Sequence, residues 1–308
     1  MLIATIAAAV LPFCAIASAI GPRQANRIAV NVNRKYQTTD GFGFSEAFQR
    51  AYNIYNLPEP KRTEVLDLLF NKTTGPGFTI LRNGIGSSPS SQNDWMNTIL
   101  PVSPGKPTGP PKYYVWDGKD SGRFWVSQQA VKYGVKTFYG NAWSTAWCSW
   151  GGSGDSYTWA NNIYTGLTTG NVSAYLWWVG TQDRATNNNN NEKLILVERD
   201  SYQVSKRLWA FAQYSRTVRP GAVRVDASGG NSLRTTAFLN TDGTLAVNVI
   251  NAGASAASGS IAGTNGTSAQ AWVTDNTHDM DLTTASIAGD GTITGSVPGR
   301  AIVSFVIS

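Results

Sequence analysis

The chain reads as an α/β segment followed by an all-β segment. Two observations predict this fold class. Between residues 37 and 218, short apolar strands alternate with amphipathic helices at the spacing of parallel βαβ units. From about Gly221 onward, short alternating strands are separated by Gly, Ser, Asn and Asp turns, the pattern of an antiparallel β-sandwich over residues 219–308.

The elements follow in order. Residues 1–19 hold an apolar run, Met1 to Ala17, that ends in Ala17-Ser18-Ala19. That small-x-small pattern predicts a signal peptide and a secreted, extracellular chain, although the first residues lack a Lys or Arg. No later segment is apolar for long enough to cross a bilayer, so no membrane partner is expected. Residues 20–36 contain a strand, Ala29 to Val32, expected to join the sandwich. Gly41 to Phe48 reads as a strand ending in a polar loop. A helix from about Pro58 to Asn71 has proline in its first turn and Val65, Leu66 and Leu69 as its apolar stripe. Gly75-Pro76-Gly77 stops it, and Phe78 to Leu81 opens a buried strand that runs into Arg82-Asn83-Gly84-Ile85-Gly86.

Pro101 to Pro111 is too rich in breakers for regular structure. The helix Asp120 to Tyr133 carries Phe124, Trp125 and Val131 and ends at Gly134, a C′ residue. Val135 to Tyr139 is the third buried strand. Trp159, Ile163 and Leu167 recur every four residues in the helix Tyr157 to Leu167. Ala174 to Val179 is a strand, Asn187 to Asn191 a polar loop tip, and Val204 to Tyr214 an amphipathic helix. The sandwich strands are Thr235–Leu239, Leu245–Ile250, Ala271–Thr274, Ile293–Val297 and Ala301–Ile307.

Composition narrows the function. The net charge of +6 is scattered, with no Lys/Arg block, which excludes a nucleic-acid partner. Charged residues make up 14% of the chain, while it holds 11 Trp and 12 Tyr. Flat aromatic faces with amide partners suit neutral sugars, which stack through C–H faces and hydrogen-bond through hydroxyls. Asn71, Asn171 and Asn265 head N-x-Ser/Thr sequons, candidate glycosylation sites on surface loops. Cys14 leaves with the signal peptide, so Cys148 is left either as a small buried apolar side chain or as a thiol without its partner. The lone His278, with no nucleophile motif near it, reads as structural and argues against a triad hydrolase or a histidine-rich metal site. No metal or organic cofactor is implied.

Six stretches together carry a family resemblance: Gly41 to Ala51, Thr79 to Pro89, Lys136 to Ser144, Thr158 to Gly180, Ser205 to Gly221 and Ala271 to Met280. In this order they resemble fungal glycoside hydrolase family 30, whose members include xylanases, glucuronoxylanases and β-1,6-glycanases. The resemblance implies a (β/α)₈ TIM barrel joined to a β-sandwich, and a polysaccharide substrate. A barrel of this kind needs about 250 residues, whereas Asp40 to Gln182 spans roughly 140. The strands present resemble the family's first, second, third and eighth, so the resemblance implies a truncated barrel whose half-sheet is ordered 8-1-2-3. Ser144-Thr145 marks the junction where the middle is missing.

In the family the acid/base glutamate follows strand four in an Asn-Glu-Pro context, and the nucleophile glutamate ends strand seven. Neither has a counterpart here, so no catalytic residue is assigned. Hydrolysis with retention needs two carboxyl groups about 5–5.5 Å apart. After the signal segment the glutamates are Glu46, Glu59, Glu64, Glu192 and Glu198; only Glu46 lies near the catalytic end of a barrel strand, Glu59 and Glu64 lie on a helix, and Glu192 and Glu198 flank a late strand. Asp155 suits the N-terminal dipole of the helix after the junction. On the substrate side the resemblance implies Arg82 beside the scissile-bond subsite, with Trp143 and Trp178 lining the cleft; the plain alternatives are a structurally paired arginine and core-filling rings. Arg50 could grip a glucuronate carboxylate or be solvated. The two open strand edges imply self-association, for example of two copies into a pseudo-barrel.

Overall fold

The computed structural model describes residues 26–86, 96, 98, 102, 120–142, 156–183, 193–228 and 232–308. The signal segment, Trp143, the Ser144-Thr145 junction, Cys148, Asp155, Glu192 and the polyasparagine tip lie outside the described residues.

Strand β1 (Asn26–Thr38) leads into β2 (Gly41–Ser45), the short helix α1 (Ala51–Tyr55), α2 (Lys61–Phe70) and β3 (Ile80–Ile85). Then follow α3 (Arg123–Lys132), β4 (Thr137–Ala142), α4 (Ser156–Thr168) and β5 (Ala174–Trp177). Strands β2 to β5 form one wholly parallel sheet in the order β4-β3-β2-β5. That is the order expected of half a (β/α)₈ barrel in which the eighth strand neighbours the first.

β2 lies second from one end of this sheet, and all five of its residues are buried. Phe42 and Phe44 point outward into a core with Val65 and Leu69 of α2, and the Phe44 ring lies 5.2 Å from Phe78 and 5.5 Å from Phe70. The α2 N-terminus is closed by the Glu59 carboxylate, which accepts from the Thr63 amide at 3.2 Å and its hydroxyl at 2.8 Å. α3 ends as its sequence requires: Gly134 sits at φ +92, and the Val135 amide donates back to the Ala130 carbonyl. Its expected apolar stripe needs correcting. α3 turns Val126 and Ala130 inward, while Phe124 and Val131 are 69% and 57% exposed. No described helix follows β4 on that flank to cover them.

The expected strand over 174–179 is divided. The backbone bends at Trp178 and leaves the barrel sheet. β6 (Val179–Asp183) then pairs in parallel with β7 (Lys193–Glu198), and β7 pairs antiparallel with β8 (Ser201–Val204). Helix α5 (Lys206–Ser215) follows; Phe211 faces the barrel core, and Gln213 faces the sandwich.

The remaining strands are β9 (Val223–Ser228), β10 (Leu233–Leu239), β11 (Leu245–Asn251), β12 (Ala257–Ala262), β13 (Ala269–Thr274), β14 (Asp279–Thr283), β15 (Ala285–Ile287), β16 (Ile293–Val297) and β17 (Ala301–Ile307). With β1 they make a single ladder ordered β14-β13-β17-β11-β10-β9-β1-β12-β16-β15. The sheet folds over on itself, so that β16 packs against β11 and β17 around a second core that includes Ile28, Val247, Val303 and Phe305. One pair departs from the antiparallel expectation: β1 runs parallel to β12. All seven residues of β11 are buried because both its faces are covered. Leu245, Val247 and Val249 enter the sandwich core, whereas Ala246 and Ile250 join the barrel core. No described helix is long and apolar enough to cross a membrane.

Candidate functional site

In a parallel barrel, reactive groups gather where strands end at their C-termini. β2 ends there at Ser45, and its two neighbours on one side place side chains level with it. The register Ser45↔Arg82↔Tyr139 aligns these residues across β2, β3 and β4 on the inner face. Arg82 is the third of six residues in β3, which continues through the Arg82-to-Ile85 run that the sequence places after Leu81. Its guanidinium donates to Ser45 Oγ at 3.2 Å and sits 5.2 Å from the Trp178 ring. Burial lowers its pKa from the usual guanidinium value. Trp178, at the bend after β5, meets Phe48 edge-on at 5.8 Å. Arg82 and Trp178 are thus brought together, whereas Trp143 lies outside the described residues. Tyr139, 54% exposed beside Arg82, was missed. Its signal was the strand alternation that pairs it with Arg82.

Arg50 is 7% exposed, which corrects the solvated alternative. It donates to the Phe48 carbonyl at 2.9 Å, and its charge bears on Glu46. Phe48 and Gln49 hold φ of 59 and 65, so the loop after β2 is tightly wound.

Glu46 is fully buried. Its Oε1 accepts the Thr181 amide at 3.0 Å, and its Oε2 lies 2.9 Å from the Thr181 hydroxyl. That hydroxyl in turn reaches the Arg50 carbonyl at 3.3 Å. Burial raises the Glu46 pKa to about 8, although the Thr181 bonds and Arg50 pull it down. The Thr181 hydroxyl thus donates to Glu46 Oε2 and, at longer range, to the Arg50 carbonyl. Gly180 makes the approach possible, because a Cβ there would meet Phe44 Cδ2 at 2.2 Å and Glu46 Oε1 at 2.5 Å.

The other described glutamates stand elsewhere. Glu59 caps α2, and Glu64 binds Lys61 at 3.0 Å and the Tyr202 hydroxyl at 2.9 Å. Asp183 and Glu198 both end parallel strands, but Asp183 is in register with Val197, so Asp183 and Glu198 project to opposite faces of their sheet. Among the described residues no group of three His, Cys, Asp or Glu could hold a metal ion. A cavity of about 350 Å³ beside β12 is lined by Asn26, Ser232, Ser255 and Ser258 and carries no acid. His278 is held by Asp275 through Nδ1 at 2.9 Å within a turn. Of the sequon asparagines, Asn171 and Asn265 are exposed, while half-buried Asn71 closes a turn by accepting the Thr73 amide at 2.8 Å.

Residues 221–305 match the glycosyl hydrolase family 30 beta sandwich domain. Across 92% of this chain and 100% of the other, the structure superposes on the catalytic domain of the family 30 xylanase C from Talaromyces cellulolyticus, with TM-score 0.80 and 25% identity. The chain has the family 30 architecture. Two further structures share the fold. A family 30 subfamily 8 xylanase from Clostridium acetobutylicum superposes with TM-score 0.58 at 15% identity, covering 91% of this chain and 99% of that one. An endo-β-1,6-glucanase superposes with TM-score 0.65 at 13% identity, covering 93% and 96%. The family 30 resemblance holds in three dimensions, as does a barrel-type parallel sheet with a C-terminal β-sandwich.

Proposed function

We propose that the chain is a secreted relative of fungal family 30 glycanases that keeps part of a xylan-type or β-1,6-glycan cleft and does not hydrolyse it. One observation carries this reading. Among the described residues, the carboxyl nearest the C-terminal ends of the barrel strands is Glu46, and it is sealed from solvent with both oxygens engaged by Thr181. A double displacement needs one carboxylate free to attack the anomeric carbon and a second acid about 5–5.5 Å away. Glu46 offers neither an exposed oxygen nor a facing acid.

What survives suits retention of a sugar rather than its cleavage. Arg82 with Trp178, and the exposed Tyr139 ring, supply a cation and flat faces on one side of an open cleft. Arg50 is engaged inward, so the glucuronate role proposed for it from sequence requires it to release the Phe48 carbonyl. Residues 37–218 form the barrel-derived unit and 219–308 the sandwich. Asn171, Asn265 and, less accessibly, Asn71 are the proposed glycan sites. Affinity electrophoresis of the purified chain through xylan, glucuronoxylan and β-1,6-glucan gels tests retention. Mobility unchanged by every glycan rejects a binding role. Sequencing the transcript across Ser144-Thr145 tests the competing reading, an incomplete product of a full-length gene; a transcript that carries additional sequence at that point supports it.

A further inference from the structure

The open flank of the half-barrel is unlike the rest of the described surface. Of the seven large apolar side chains that are exposed, five lie there: Ile85 at 52%, Phe124 at 69%, Val131 at 57%, Phe138 at 41% and Tyr139 at 54%. Their arrangement follows from register. β4 is the last strand of the parallel sheet, and its outer edge pairs with no described strand. Phe138 aligns with Leu81, whose side chain enters the outer core, so Phe138 belongs to the outer, helix-bearing face. Ile85 shares that face with Leu81 and with Asn83, which donates to Ser127 of α3 at 2.9 Å. Phe124 and Val131 are seven residues apart on the same side of α3. Tyr139 projects from the inner face.

An edge strand presents a row of backbone donors and acceptors that only another extended chain satisfies. β4 reads Thr-Phe-Tyr-Gly-Asn-Ala, without a charge or a proline. It therefore lacks the usual devices that deter strand addition. The far edge of the sandwich differs, since β14 carries Asp279 and Asp281. β5, at the other end of the barrel sheet, has only four residues, none of them exposed.

We infer that β4 pairs antiparallel with β4 of a second copy about a two-fold axis, joining the two half-sheets into one eight-stranded sheet. A two-fold axis perpendicular to the sheet keeps both outer faces on one side. The α3 helices then flank the seam and bring Phe124, Val131 and Phe138 of one copy toward those of its partner. Taking roughly 200 Å² for each whole side chain, the exposed fractions of Phe124, Val131 and Phe138 offer on the order of 300 Å² of apolar surface. The paired strand backbones and the inner-face Tyr139 ring add to this, toward the ~800 Å² per partner of a stable interface. The inference concerns a different surface from the glycan reading, and either can fail without the other.

Sedimentation velocity of the full chain at micromolar concentration tests it. The expected result is a species of twice the chain mass, converted to monomer by Phe138→Lys and by Phe124→Glu, with near-ultraviolet circular dichroism unchanged. Leu282→Lys, on β14, leaves the dimer intact. Amide exchange over 137–142 slows as concentration rises, while exchange over 174–177 does not change. A monomer at all concentrations overturns the inference, as does open-ended association or a dimer indifferent to both β4-flank variants. Concentration-dependent protection of 174–177 also overturns it, because that pattern belongs to a closed barrel of alternating β4 and β5 edges. If Phe138→Lys does not fold, Phe124→Glu on the exposed helix face and the exchange pattern decide.

Discussion

Burial raises the Glu46 pKa to about 8 against the pull of the Thr181 bonds and of Arg50. A carboxyl that titrates near 4.5 when unfolded and at about 8 when folded binds more protons in the native state between those values. Its contribution to stability is therefore complete below about pH 4.5, declines as pH rises, and levels off above about 8. Thermal melts of the wild type should fall in midpoint across that window, and Glu46→Gln should flatten the decline. An equal slope in both proteins would refute the assignment. Thr181→Val leaves the buried carboxyl short of a partner and should cost ~1–3 kcal/mol in denaturant unfolding. Arg82 and Trp178 act on each other rather than as separate cleft residues. If the pair presents the sugar, Trp178→Ala removes a cation–π contact worth about 1 kcal/mol and weakens retention on xylan by roughly five-fold in affinity electrophoresis. None of this coupling could be read locally, since Glu46 and Thr181 are 135 residues apart.

At the scale of elements, agreement between sequence and structure tracks how strongly each segment is punctuated. β16 and β17 were bounded correctly because Pro298-Gly299 separates two β-branched runs. β12 was missed because Ala-Ser-Gly-Ser-Ile-Ala has little intrinsic strand preference and is ordered by its neighbours β1 and β16. β7 was legible as the late strand flanked by Glu192 and Glu198, because the short apolar run Leu194 to Val197 stands between polar segments. The α3 stripe was misread for a different reason. Phe124 and Val131 have the spacing of a buried face, but α4, the next described helix after β4, packs against α5 and the sandwich and leaves them uncovered. α5 is the element that ties the two cores together. Phe211 meets Phe78, Tyr175 and Trp177 at 5.5 to 6.1 Å, and Gln213 donates to Thr274 at 2.9 Å on the sandwich side. Phe211→Ala should therefore cost ~3–5 kcal/mol and lower one shared melting transition in calorimetry. Two separate transitions, with only the lower one shifted, would show that the cores are uncoupled.

For the molecule as a whole, the four-stranded parallel sheet is contiguous and shares one core with residues of the sandwich. Phe238, Ala246, Ile250 and Ile302 of the sandwich close the core that β2, α2, α4 and α5 open. The half-sheet order was legible once the family resemblance was in hand, since strand eight must neighbour strand one. The small β6–β7–β8 sheet, and its attachment to β2 through Glu46, were not. The account rests on a scaffold that holds a sugar-facing surface without the paired acids that break a glycosidic bond. Reducing-end release from xylan and β-1,6-glucan by the purified chain is the most direct measurement. The predicted result is release no greater than from heat-denatured protein at any pH from 4 to 9, in the range that spans the Glu46 titration at about 8. Sustained turnover above that control would contradict it and would require a second carboxyl facing the cleft.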